Sequence, residues 1–292
     1  MKSRRSRSSR SGSWRRLAAV LAAAAVFAAG ADAVADQRFA EEASRSAAIV
    51  CVRTPCWPPT LELIPDARVS PQSLPRRTRA PIVFRGGARI AIPDFFFAPA
   101  LREATLRIDR DVVIDAVGLP VCAGPTLDIV RSPAELKEMC RKAIVGSGTA
   151  EVDVHFPEVA IPTTAELVVF NGGVEGDTTT LYVYAHVPIP FPRAVVATVE
   201  VRRAATGKSG WRVEVEIPPI AGGSGSLRAF DLTVRRSFFH AGAKKSLLSA
   251  RCPRGKLEIE MPRAVFRNEP SFPDQSATIL TGRLQVPCTP LP

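Results

Sequence analysis

Three histidines and two tyrosines in 292 residues leave little material for common site chemistries. His155, His186 and His240 stand far apart, and no H-E-x-x-H, glycine-rich phosphate loop or EF-hand spacing occurs. The run "GGSGS" at 222–226 ends on Ser226 where a nucleophile elbow needs glycine, so it reads as a flexible loop. The C-x-x-C redox spacing is missing, and Cys51 and Cys56 are the one close cysteine pair, whereas a zinc site uses two. No catalytic residue, metal site or cofactor is therefore expected. Asp153 and His155 share a strand face and come nearest to an acid/base pair, but the solvent side of an amphipathic strand accounts for them, as for Asp231 and Arg235.

A long apolar run is also lacking. Leu17 to Gly30 is short against the roughly 20 residues that span a bilayer, and Asp32 interrupts its extension. The run follows "MKSRRSRSSRSGSWRR", with seven bases and no acid, and precedes "ADAVADQ". Basic, apolar and A-x-A segments in that order mark an export signal, so residues 1–35 are expected to be cleaved after Ala35. The mature chain then begins at Asp36 and is secreted, either extracellular or in the cell envelope. Membrane contact is expected only through the signal peptide during export.

The leader also explains most of the charge. Without its seven bases and its one acid, Asp32, the formal +11 falls to +5. Along the body bases and acids alternate, as in "WRVEVEIPP". Nucleic acid calls for a basic stripe with stacking aromatics, and only Arg76, Arg77 and Arg79 cluster, so no nucleic-acid partner is expected.

Export changes the meaning of six cysteines, since an even count outside the cytosol points to a disulfide framework. Cys122 ends "VIDAVGLPVC", just ahead of the one strong helix signal. There Ser132-Pro133-Ala134-Glu135 forms a capping box with proline in the first turn. Leu136, Cys140 and Ala143 fall on one face with Ile144 alongside, and Lys137, Glu138, Arg141 and Lys142 form the solvated side. "GSG" at 146–148 is expected to end this helix, which spans 132–146. Placement pairs Cys122 with Cys140, Cys252 with Cys288 across two strands, and Cys51 with Cys56 around Pro55.

Elsewhere the period is two. "ATLRID" and "DVVIDAV" precede the helix, and "EVDVHF", "AELVVF", "TLYVYAHV", "AVVATVEV", "WRVEVEI", "RAFDLTV", "KLEIEM" and "ILTGRLQV" follow it. Asn171-Gly172-Gly173 suggests a hairpin loop near 171–178. The expected fold is mainly β, an antiparallel β-sandwich or partly closed barrel of about nine strands with the capped helix at an end or edge. An open antiparallel sheet curled around the helix is the alternative. Pro55, Pro58, Pro59, Pro65, Pro71 and Pro75 argue for a flexible proline-rich arm over 36–80, with the disulfide-stapled β domain at 81–292.

"GLPVC", "CRKAIVGSG", "FNGG", "RCPRGKLEIE" and a cysteine near the C-terminus together resemble a group of secreted, cysteine-containing β-rich proteins of actinobacteria. The resemblance covers 104–288 and implies architecture alone, because the group has no known activity.

Three function classes follow. One is a secreted or cell-wall-associated binding or structural module with an extracellular or cell-envelope partner. The second is a carrier of a small apolar ligand, and the third a hydrolase with no recognisable motif. A carrier needs an apolar cavity, so core filling separates the first two. In "TLYVYAHVP", Leu181, Val183, Ala185 and Val187 form the expected core face. Tyr182, Tyr184 and His186 share the other face, either as a binding surface or as packing between two layers.

Overall fold

The computed structural model describes residues 50–51, 61–92, 98–127, 132–156, 159–189, 192–205, 207, 209–267 and 277–292. The export segment and Cys56 lie outside these, and so do Pro55, Pro58 and Pro59. The first strands are β1 (Val50–Cys51), β2 (Glu62–Ser70), β3 (Ser73–Pro75), β4 (Ala80–Pro81), β5 (Val83–Ala91), β6 (Ala100–Asp109) and β7 (Val112–Ile114). Two short helices follow, α1 (Gly124–Leu127) and α2 (Pro133–Met139). Then come β8 (Ile144–Phe156), β9 (Val159–Glu175), β10 (Thr178–Val187), β11 (Arg193–Arg203), β12 (Ser209–Glu216) and β13 (Gly225–Val234). The chain ends with β14 (Ser237–His240), β15 (Ala243–Ser246), β16 (Leu248–Ala250), β17 (Lys256–Arg267), β18 (Thr278–Pro287) and β19 (Thr289–Leu291).

Eleven of these strands form one antiparallel sheet in the order β18-β17-β6-β12-β11-β10-β9-β8-β13-β5-β2, with the short β1 added beside β18. The terminal strands β18 and β2 come back against each other, so the sheet is nearly closed into a barrel. Alternation sets its two surfaces. Leu181, Val183, Ala185 and Val187 point inward from β10, as do Val152 and Val154 from β8. The outside carries charge: Glu200 pairs with Arg202, Glu214 with Arg212 and Glu260 with Arg283, at 2.5–2.6 Å. A membrane-spanning barrel has an apolar outer band and a polar lumen. This wall is built the other way round.

Of the eleven long strands of the sheet, β2 and β5 escape the sequence reading, and β2 overturns the domain boundary at residue 81. β2 lies inside the expected arm, yet it pairs with β5 from Glu62↔Ala91 to Ser70↔Val83. Pro65 and the Gly86-Gly87 pair break the apparent pattern in these two segments. Proline is tolerated because β2 borders the seam of the sheet, where one edge carries no ladder. The folded unit therefore includes residues 61–80, and Arg76, Arg77 and Arg79 belong to an exposed turn within it.

One barrel end is plugged. The small sheet β4-β16-β7 lies there with the parallel pair β3-β19, and Leu74, Leu247, Ala250 and Cys252 are wholly buried among them. Cys252 bonds Cys288 across a separation of 36 residues, the expected pairing. Beside it, Asp109 and Asp111 are buried and met by arginines: Arg254 donates to both, at 2.7 and 3.1 Å, and Arg251 donates to Asp111 at 2.7 Å. Burial of carboxylates is tolerated only with such partners. This knot fastens the loop after β16 to the β6–β7 turn, and the disulfide ties the same loop to Cys288 between β18 and β19.

Candidate functional site

Residues 122–127 and 132–140 form an outer cover rather than a plug. Ser132 caps α2 with both halves of the capping box in place, and Leu136 and Ala143 are buried beneath. The bridge from Cys122 to Cys140, 18 residues apart, closes the cover. Asn171 fixes its entry strap: the buried side chain donates to the carbonyls of Leu119 and Pro120, and the Asn171 backbone carbonyl accepts from Cys122 N–H at 2.9 Å.

Two expectations are corrected here. The helix stops at Met139, and after a single 3₁₀ turn, Arg141–Ala143, strand β8 begins at Ile144. "GSG" at 146–148 is strand. A Cβ on Gly148 would lie 1.9 Å from the Asp231 carbonyl oxygen, and one on Gly146 would lie 2.6 Å from that of Thr233. These glycines serve close strand approach, not a cap. The hairpin turn is Gly176-Asp177, inside the expected loop 171–178 but not at Asn171-Gly172-Gly173, because β9 runs on to Glu175 and absorbs Gly172-Gly173 as a bulge opposite Thr180/Leu181.

Beneath this cover lie the proposed recognition residues. Tyr184 is fully buried with Val168, Phe170, Leu127 and Leu136. Tyr182 is half-buried, its ring packed over Gly172 and its hydroxyl against Gly124. His186 is half-buried on the same face. The strand thus lies between two layers, and Tyr184 presents no surface to a partner. For Tyr184, packing is the reading that holds.

Asp153 and His155 do come together with other polar groups. His155 Nε2 lies 3.2 Å from Ser226 Oγ, and Asp153 pairs with Arg228 at 3.4 Å. Burial lowers the His155 pKa from its ordinary 6.5; the Asp153 carboxylate opposes that shift and Arg228 adds to it. Aspartate, histidine and serine in one neighbourhood suggest acyl transfer. Here Ser226 is only 2% exposed and Asp153 faces Arg228, so the serine is out of reach of a substrate. The nearby open groove, 740 Å³, runs across β5, β13, β8 and β9 with Arg89, Arg228, Glu151 and Asp153 on its walls.

The interior is the other concave feature. At the plugged end Val69, Val201, Trp211 and Val286 are buried. At the far end Leu63, Val152, Val195 and Leu280 are buried. β2, β11 and β18 contribute to both clusters, which therefore mark two levels of one barrel. Between them is a belt of inward side chains that stay only half-buried. Val183 and Leu232 touch both clusters. Leu106, Val199, Val215 and Ile259 border one level, and Ala88, Ala185, Phe230 and Met261 border the other. All of them are apolar. Fully packed interiors leave such residues almost no accessible surface, so this level is less tightly filled than the two beside it.

Comparison with family models, curated proteins and solved structures gives no match to this chain. The sequence reading named the inward face of β10 but missed the belt. Period-two alternation identifies lining residues, whereas free volume depends on how eleven strands close.

Proposed function

We propose that this chain is an exported, non-catalytic binding module whose barrel interior carries a small apolar ligand. One observation carries the reading: the half-buried apolar belt between two fully buried levels. A ligand there would remove the residual exposure of Val183, Ala185 and Leu232, at about 25 cal/mol per Å² of apolar surface. Support for export comes from the order of basic, apolar and A-x-A segments and from two disulfides, which persist where thiols oxidise.

The test is a titration of the chain with a polarity-sensitive apolar fluorophore, alongside the variant Ala185→Phe. The parent should bind saturably at one site. Filling the belt should weaken binding about tenfold or more while leaving the melting temperature unchanged or raised. If the belt is already packed, the added ring should instead destabilise by about 1–3 kcal/mol and leave any dye binding untouched. That outcome would reject the carrier reading.

A further inference from the structure

β14 and β15 form a small hairpin outside the barrel sheet, and its two faces differ. Phe238 and its partner Lys245 turn toward the protein: Phe238 packs on the plugged-end cluster and Lys245 pairs with Asp115 at 3.2 Å. Phe239 and its partner Lys244 turn to solvent, and Phe239, at 77% exposed, exceeds every other large apolar residue described. The turn is tight, with positive φ at both Ala241 (50°) and Gly242 (77°). Alanine in that region is strained, so the surrounding structure holds the hairpin in shape.

Charge gathers at its base. Arg235 N–H donates to the Val145 carbonyl, and the Arg236 guanidinium donates to the Lys142 carbonyl, which brings Arg141 and Lys142 beside the hairpin. Among the described residues, none of Arg141, Lys142, Arg235 and Lys244 is ion-paired, and Asp115 is already taken by Lys245.

An exposed ring on a stiff tip, with Lys244 beside it and further unpaired cations at its base, fits an anionic bilayer surface: the aromatic enters the headgroup layer and the cations meet lipid phosphates. We propose that this hairpin docks the protein peripherally on anionic membranes. This departs from the expectation that membrane contact ends with export, and it stands whether or not the barrel carries a ligand. A soluble polyanion would use the cations but has no need of Phe239, so the ring separates the two partners.

The experiment is vesicle co-sedimentation of the chain from Asp36, which contains the whole of the compact unit Ala43–Pro292. Vesicles are phosphatidylcholine alone or mixed with phosphatidylglycerol, and heparin serves as the soluble polyanion. The chain should bind mixed vesicles, should ignore neutral ones, and should lose affinity with salt. Lys244→Gln should weaken binding about fivefold, Phe239→Ser about tenfold, and Arg283→Gln on the barrel wall should change nothing. Absent binding to mixed vesicles would overturn the proposal, as would full binding by Phe239→Ser. Tight heparin binding that is indifferent to Phe239 would assign the surface to a polyanion instead.

Discussion

The Cα atoms of Cys122 and Cys140 stand 5.5 Å apart, and the bridge between them holds a two-helix cover over the fully buried ring of Tyr184. A short helix of seven residues is marginal by itself in water. It persists here because one covalent link, one buried leucine and a complete capping box all act within a single turn or two.

Removing the link should loosen the cover first. The double variant Cys122→Ser, Cys140→Ser should lose roughly 3 kcal/mol, as expected for a loop of this size. Hydrogen exchange should rise over 122–143 and stay low in β12 and β17. Equal loss of protection throughout would mean that the cover and barrel unfold as one.

The two tyrosines should respond unequally. Tyr184→Ala should cost about 3–5 kcal/mol, the range for deleting a buried aromatic. Tyr182→Ala should cost less, since its ring is only half-buried. Thermal denaturation checks both, and a Tyr184→Ala protein as stable as the parent would contradict the two-layer packing.

Gly148→Ala should destabilise by about 3 kcal/mol, at the upper end for overpacking, because the new methyl meets the backbone of β13 rather than a movable side chain. Chemical denaturation measures it. The same change at Gly176, where a Cβ has nothing within 4 Å but φ is +59°, tests backbone strain alone.

Much of the outline was legible because local rules met no competition. Ser132 and Glu135 announce a helix start within four residues, and the alternation in "TLYVYAHV" names its inward face correctly. Reading failed where one residue type serves two ends. Glycines at 146 and 148 resemble a helix stop, yet their role is set by carbonyls of β13, more than eighty residues away. Pro65 looks like a break until β2 proves to border an open seam. The polar knot of Asp109, Asp111, Arg251 and Arg254 joins positions 140 to 145 residues apart, beyond any local pattern. The belt was invisible for the same reason.

Acid should weaken the fold through His155. Its pKa is lowered in the folded state, chiefly by burial, so the unfolded chain takes up the proton first as pH falls. The stability tied to the neutral ring is complete above pH 6.5 and is lost below it as pH drops toward the folded-state value. Denaturation midpoints across this window should decline more steeply in the parent than in His155→Gln. Parallel profiles would show that the imidazole does not contribute.

The most direct test of an apolar, unfilled interior is a crystal of the chain pressurised with xenon, which settles in dry apolar cavities. Xenon should appear inside the barrel, within contact of Val183, Ala185 and Leu232. Continuous side-chain density through that level, with no xenon inside the wall, would contradict the carrier account.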